Sequence, residues 1–100
     1  MLYMILGQDA PDTLPRRKLA RPAHVERLRV LQAQGRLLLA GPRPKIDASA
    51  ANEAGFNGSL IVAEFASLAE AEAWAAADPY ALEGVFEQVL VQPFVKTFPE

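Results

Sequence analysis

The chain contains no cysteine, which excludes a disulfide framework, thiolate zinc sites and a cysteine nucleophile, so packing alone must hold the fold. Histidine occurs once, as His24, and tryptophan once, as Trp74. One histidine with one aspartate falls short of the three protein ligands of a catalytic zinc site, so no metal is expected. Gly41-Pro42 and Gly55-Phe56-Asn57-Gly58 read as turns, and with no phosphate-cradling loop or dinucleotide fingerprint, no cofactor is expected. Neither sign of charge dominates: 10 Lys+Arg against 12 Asp+Glu leave a formal net charge of -2, without global attraction to phosphate or anionic lipid. A local basic run exists, Arg16, Arg17, Lys18, Arg21, Arg27 and Arg29, but no aromatics interleave it. It reads as a solvated helix face, and no nucleic-acid partner is expected. The opening apolar run, Met1 to Leu6, stops at Gly7-Gln8-Asp9, too short for a signal peptide or a membrane span. The expectation is a cytoplasmic protein with no membrane partner.

What is present is a large apolar fraction, 51% of 100 residues, enough for one domain over residues 1–100. Such a domain buries roughly 60–70% of the surface its unfolded chain exposes. Leu2-Tyr3-Met4-Ile5-Leu6 reads as a buried strand, and Asp9 to Thr13 as a turn that can cap a helix. Leu14 to Gln34 favours helix, but Pro22 removes a backbone donor and clashes one turn back. A kink, or two helical pieces meeting near Arg21, is therefore expected, with His24 in the first turn of the second piece. There His24, Leu28 and Leu31 share an inward face, while Glu26, Arg27 and Arg29 point elsewhere. Gly35 stops the helix. Arg36 to Ala40 reads as a strand closed by Gly41-Pro42-Arg43-Pro44, the stretch up to Gly58 as loop, and Ser59 to Phe65 as the clearest strand. Ser67 and Glu70 form a capping box before an alanine-rich helix over Ala69 to Ala77 that ends near Asp78-Pro79. The last strand runs from Val85 to Val91 and continues past Pro93 toward Phe98. The order β-α-β-β-α-β predicts an α+β, ferredoxin-like sandwich: a four-stranded antiparallel sheet with two helices on one face.

If the other sheet face met water, the strands would alternate apolar and polar residues. Three of them do not: Leu2, Met4 and Leu6 oppose Tyr3 and Ile5, Leu37 and Leu39 oppose Leu38 and Ala40, and Leu60 and Val62 oppose Ile61, Ala63 and Phe65. Only the last strand is mixed, Phe86 and Leu90 being interrupted by Gln88 and Gln92. A homodimer through the sheet face is the economical explanation.

Two segments read like chemistry, Arg21-Pro22-Ala23-His24 and Asp78-Pro79-Tyr80. The ends of two helices on one sheet face can lie at the same edge. An aspartate can then accept a hydrogen bond from one imidazole nitrogen, fixing the tautomer and leaving the other nitrogen free for a substrate proton. Each residue also has an ordinary structural explanation. A core histidine bonds to backbone, Asp78 ends a helix before proline and caps the turn after it, and Tyr80 packs. Ser59 is the nearest candidate nucleophile, yet no G-x-S-x-G elbow surrounds it, which favours proton transfer over acyl transfer. Arg21 and Arg43 can neutralise an anionic substrate or a developing oxyanion, or form solvated salt bridges.

Arg21-Pro22-Ala23-His24, Gly35, Ala40-Gly41-Pro42, Gly58-Ser59-Leu60, Ala77-Asp78-Pro79-Tyr80 and Gly84-Val85-Phe86 together resemble the YciI-like proteins with a YCII-related domain. The resemblance spans nearly the whole chain. It implies a ferredoxin-like fold, pairing through the sheets as a dimeric α+β barrel, and a histidine and an aspartate in a cleft as the candidate catalytic pair. Carried over, these are His24 and Asp78, with Ser59 and Tyr80 as pocket neighbours. One relative is similar to a dehydrochlorinase acting on a chlorinated hydroxyquinol, and muconolactone isomerases share the broader fold. The long loop from Pro44 to Asn57 lies outside what the resemblance informs. The resulting expectation is a cofactor-independent lyase or isomerase. In it His24 is the general acid/base, oriented by Asp78, and Ser59, Tyr80 and Arg21 bind a small cyclic or aromatic-derived organic molecule. The alternative is a non-catalytic, dimeric small-ligand-binding or accessory domain with a structural His–Asp hydrogen bond.

Overall fold

A computed structural model describes residues 1–47 and 54–100. The elements are β1 (Leu2–Asp9), α1 (Leu14–Ala33), β2 (Leu37–Pro44), β3 (Phe56–Glu64), α2 (Leu68–Ala76), α3 (Pro79–Leu82) and β4 (Phe86–Phe94). The strands form one antiparallel sheet in the order β2-β3-β1-β4, the ferredoxin-like arrangement that the element order predicts. Tyr3 and Ile5 pair with Ala63 and Ile61, and these four side chains meet Leu31 of α1 and Ala71 and Ala75 of α2 in the main core. The described helices α1 and α2 therefore lie on one face. The alanines of α2 have little side chain to keep it from the sheet. No described helix is long and apolar enough to cross a membrane.

Pro22 does not divide α1, which is assigned as one helix from Leu14 to Ala33. An interior proline costs about 3 kcal/mol, but here it is exposed. Buried Arg17 and Ala20 before it, and His24 and Leu31 after it, anchor both halves to the same surface. His24 consequently sits halfway along the helix, not in a first turn. Thr13 occupies the N-cap without a side-chain cap bond, its hydroxyl donating to the Ala10 carbonyl at 2.8 Å. Ser67 does cap α2, accepting from the Glu70 amide at 3.1 Å.

Three strand boundaries differ from the sequence reading. β2 continues through Pro42 and Pro44, because on an edge strand the outward side needs no donors. β3 begins at Phe56, inside the expected loop, where Gly58 passes so close to the Gly7 carbonyl and Arg43 that a Cβ would collide with both. β4, the other edge, passes Pro93 as expected but ends at Phe94, short of Phe98. The expected loop over 44–57 thus contributes to strands at both ends, while residues 48–53 lie outside the described part.

Phe86 is also placed differently. A register shift between Gln8 and Asp9 turns it to the helix side, where it joins Ala20, Tyr80 and Val85 in a second core cluster. Its ring lies over Gly7, at the place a Cβ would occupy. The opposite face carries Met4, Leu6, Leu60 and Val62, flanked by Leu39 on β2 and by Leu90 and Phe94 on β4.

Candidate active site

The site is built where the middle of α1 crosses the junction of α2 and α3. Asp78 has an extended backbone, as a residue before proline requires, and its side chain caps α3 by accepting from the Tyr80 amide at 2.8 Å. The carboxylate thereby stays at a helix N-terminus, pointing toward α1. His24 Nδ1 lies 2.9 Å from both Asp78 oxygens, with the two residues 6% and 3% exposed. A proton on Nδ1 is the arrangement that satisfies this contact, leaving Nε2 as the bare nitrogen of the neutral ring. Nε2 has no partner among the described residues and is not among the sealed polar atoms, and His24 lines a cavity of about 210 Å³.

The imidazole plane is fixed by stacking. Tyr80 lies 4.0 Å from it, centroid to centroid, at an interplanar angle of 18°. The guanidinium of Arg17 sits 4.5 Å from the Tyr80 centroid and 4.9 Å from that of Phe56, so Phe56, Arg17, Tyr80 and His24 form one continuous series of flat groups. Arg17 is only 4% exposed. It donates to both Asp9 oxygens at 2.9 and 3.0 Å, to the Gly58 carbonyl at 3.3 Å and to Ser59 Oγ in a short bond. Burial pushes the Asp9 carboxyl up from its ordinary value, against the opposing pull of Arg17.

Burial likewise raises the Tyr80 phenol, with Arg17 and Arg21 opposing and Asp78 and Asp9 reinforcing. A raised folded-state value favours the neutral phenol. Its contribution to stability is complete below the free phenol's range, about pH 10, and is lost as pH rises through the higher folded value. Alkaline titration followed by tyrosinate absorbance should show one of the two tyrosines ionising late and together with loss of the fold. Ordinary, reversible ionisation of both in the folded chain would contradict this.

Of the residues singled out from sequence, His24, Ser59, Tyr80 and Arg21 all line the cavity, and Asp78 stands behind His24. No hydrogen bond joins Ser59 to His24, and the serine hydroxyl instead receives Arg17. Arg43 is not at the cavity: its Nη2 donates to the Gly7 carbonyl and Gln8 Oε1, at 2.8 and 3.2 Å, and contacts the Asn57 carbonyl. The basic run is not wholly a solvated face either. Arg17 is buried, and Arg27 lies 4.3 Å over Trp74. Arg17, Asp9, Phe56 and the β2 wall Ala40–Pro42 were missed. The signal for Arg17 was present: positions 17, 20, 24 and 31 fall on one helical face, visible once Pro22 is read as part of the helix.

Residues 1–95 match the family model of the YCII-related domain. The chain belongs to the YCII-related domain family. Within it, Protein YciI of Escherichia coli and Protein YciI of Shigella flexneri are each 53% identical over 98 residues, covering 98% of this chain and 100% of the relative. An uncharacterized protein of Haemophilus influenzae is 50% identical over the same length. Among solved structures, this YCII-related chain is similar to the 5-chloro-2-hydroxyhydroquinone dehydrochlorinase (TftG) of Burkholderia phenoliruptrix AC1100, in complex with 2,5-dihydroxybenzoquinone. The TM-score is 0.84 at 25% identity, covering 95% of this chain and 94% of that one.

Proposed function

We propose that the chain is a cofactor-independent enzyme in which His24 moves a proton on a small cyclic or aromatic-derived molecule, with Asp78 orienting the ring. The observation that carries the reading is the bidentate Nδ1–Asp78 contact, which leaves Nε2 unpartnered at a cavity. In an elimination, Nε2 accepts the proton of a C–H or O–H group. The released electron pair forms a new C=C or C=O bond, and the leaving group departs with its bonding pair. In an isomerisation, the same nitrogen returns the proton at a neighbouring position. In both cases the transient imidazolium is balanced by Asp78, buried beside it. The similarity to a dehydrochlorinase supports elimination as the first reaction to test. Incubation with chlorinated di- and trihydroxybenzenes and with unsaturated lactones, read by chloride release and ultraviolet absorbance, should find a substrate. The non-catalytic alternative expects no turnover of any of them.

The proposed working unit is a dimer through the open sheet face, where Leu39, Leu90 and Phe94 are 47%, 46% and 37% exposed on the strands flanking Met4 and Leu60. An apolar face of this kind gains by being covered. Light scattering after size exclusion should give twice the chain mass, falling to one chain in the Leu39→Glu/Leu90→Glu double variant. A wild-type mass of one chain would remove the dimer, and a variant still paired would remove the sheet face as its interface.

A further inference from the structure

We infer that the cavity selects an anion: a single planar ring bearing an anionic oxygen, held by Arg21 and Lys18 at the mouth and by the Ser59 hydroxyl inside. This rests on the reading of the cavity as the substrate site and specifies the substrate class. Among the described residues the lining includes Arg17, Lys18 and Arg21 and not one aspartate or glutamate, although the chain as a whole is formally -2. The two nearby carboxylates among the described residues are already engaged, Asp9 by Arg17 and Asp78 by His24.

The three cations are not equivalent. Arg17 directs both of its terminal nitrogens at Asp9, Gly58 and Ser59, so its charge is balanced inside the protein. The side chains of Lys18 and Arg21 make no ion pair or hydrogen bond among the described residues, and both are exposed on the turns of α1 preceding His24. Their charge is available to a ligand whose reacting end reaches Nε2. Ser59 supplies directionality: its oxygen accepts from Arg17, so its own hydrogen remains to be donated, and the described residues offer it no acceptor. The ligand's size follows from volume. A cavity of about 150 Å³ accepts benzene, so 210 Å³ holds one substituted ring and not two. The shared chemistry is an enolate, phenolate or carboxylate oxygen on that ring.

Because His24 is the sole histidine, 15N-histidine labelling gives a two-nitrogen reporter of the site. Titration with 2,5-dihydroxybenzoquinone, an acidic enol, with benzoate, and with neutral hydroquinone separates charge from ring. At least one of the two anions should bind about tenfold more tightly than hydroquinone. The tighter anion identifies the oxygen as enolate or carboxylate. Arg21→Gln should weaken that anion about five- to tenfold, and adding Lys18→Gln, or salt to about 0.5 M, should erase the preference. The inference is overturned if hydroquinone binds as tightly as the tighter of the two anions, if the double variant keeps the preference, or if none of the three probes perturbs His24. Anion preference without turnover of any substrate would remove the acid/base reading and leave this one standing, whereas turnover without the preference would do the reverse.

Discussion

Replacing His24 by asparagine should lower kcat/KM by about 10²- to 10⁴-fold, the usual scale for loss of a positioned acid/base group, with the chain still folded. Asparagine retains an N–H to offer Asp78 but has nothing in place of Nε2. The expected cost to the fold is a modest fall in melting temperature from the lost stack on Tyr80. Asp78→Asn is the sharper comparison. The amide oxygen can still accept from the Tyr80 amide and so preserve the α3 cap, while the NH₂ group faces Nδ1. That arrangement turns Nδ1 into an acceptor and moves the ring proton to Nε2, which removes the base without removing the histidine. A comparable loss of kcat/KM is expected, together with a change in the 15N shifts to the opposite tautomer. If both variants alter only the melting temperature and leave turnover intact, the pair is structural and the enzyme reading fails.

The second large effect concerns stability. Arg17→Met should cost about 3–5 kcal/mol at neutral pH in urea unfolding, the scale for removing one partner of a buried ion pair. Arg17 and Asp9 side chains are each 5% exposed, so the abandoned carboxylate finds little water. The sign of the pH dependence follows from Asp9. Burial already raises its folded-state value, and removing the guanidinium takes away the principal opposing charge. A carboxyl raised above its unfolded value, about 3.9, favours the protonated folded state. The deficit of the variant should therefore be smallest below about pH 4 and grow as pH climbs through the raised value. Adding Asp9→Leu should restore much of the loss by replacing the stranded charge with apolar surface. A single variant as stable as the wild type at neutral pH would show that the pair is not what holds β1 to α1.

Much of the fold was legible because its signals are local. The apolar runs at Leu2–Leu6 and Ser59–Phe65, the Ser67/Glu70 cap and the Asp78-Pro79 stop each act over a few residues. Their order is enough to imply the sheet that forms. The errors lie where a local rule met a tertiary one. Pro22 is a helix breaker in isolation, but α1 is held on both sides of it by buried residues. Pro42 and Pro44 end a central strand, yet β2 turns out to be an edge. Phe86 alternates toward the open face in an unbroken register, and a single shift beside Gln8 reverses it.

The site divides in the same way. The chain composition alone determined that chemistry here cannot use thiols and has a single imidazole available, and the Asp-Pro step determined that a carboxylate would end a helix and cap the next. Only the packing of α1 across the α2–α3 junction decided that the imidazole and that carboxylate would lie 2.9 Å apart, 54 positions distant in sequence. Only the packing, too, made Arg17 a buried counterion and left Arg21 and Lys18 facing solvent at the cavity. The reason is that residue type sets what a side chain can bond to, whereas burial and the partner within reach are properties of segments brought together from far along the chain.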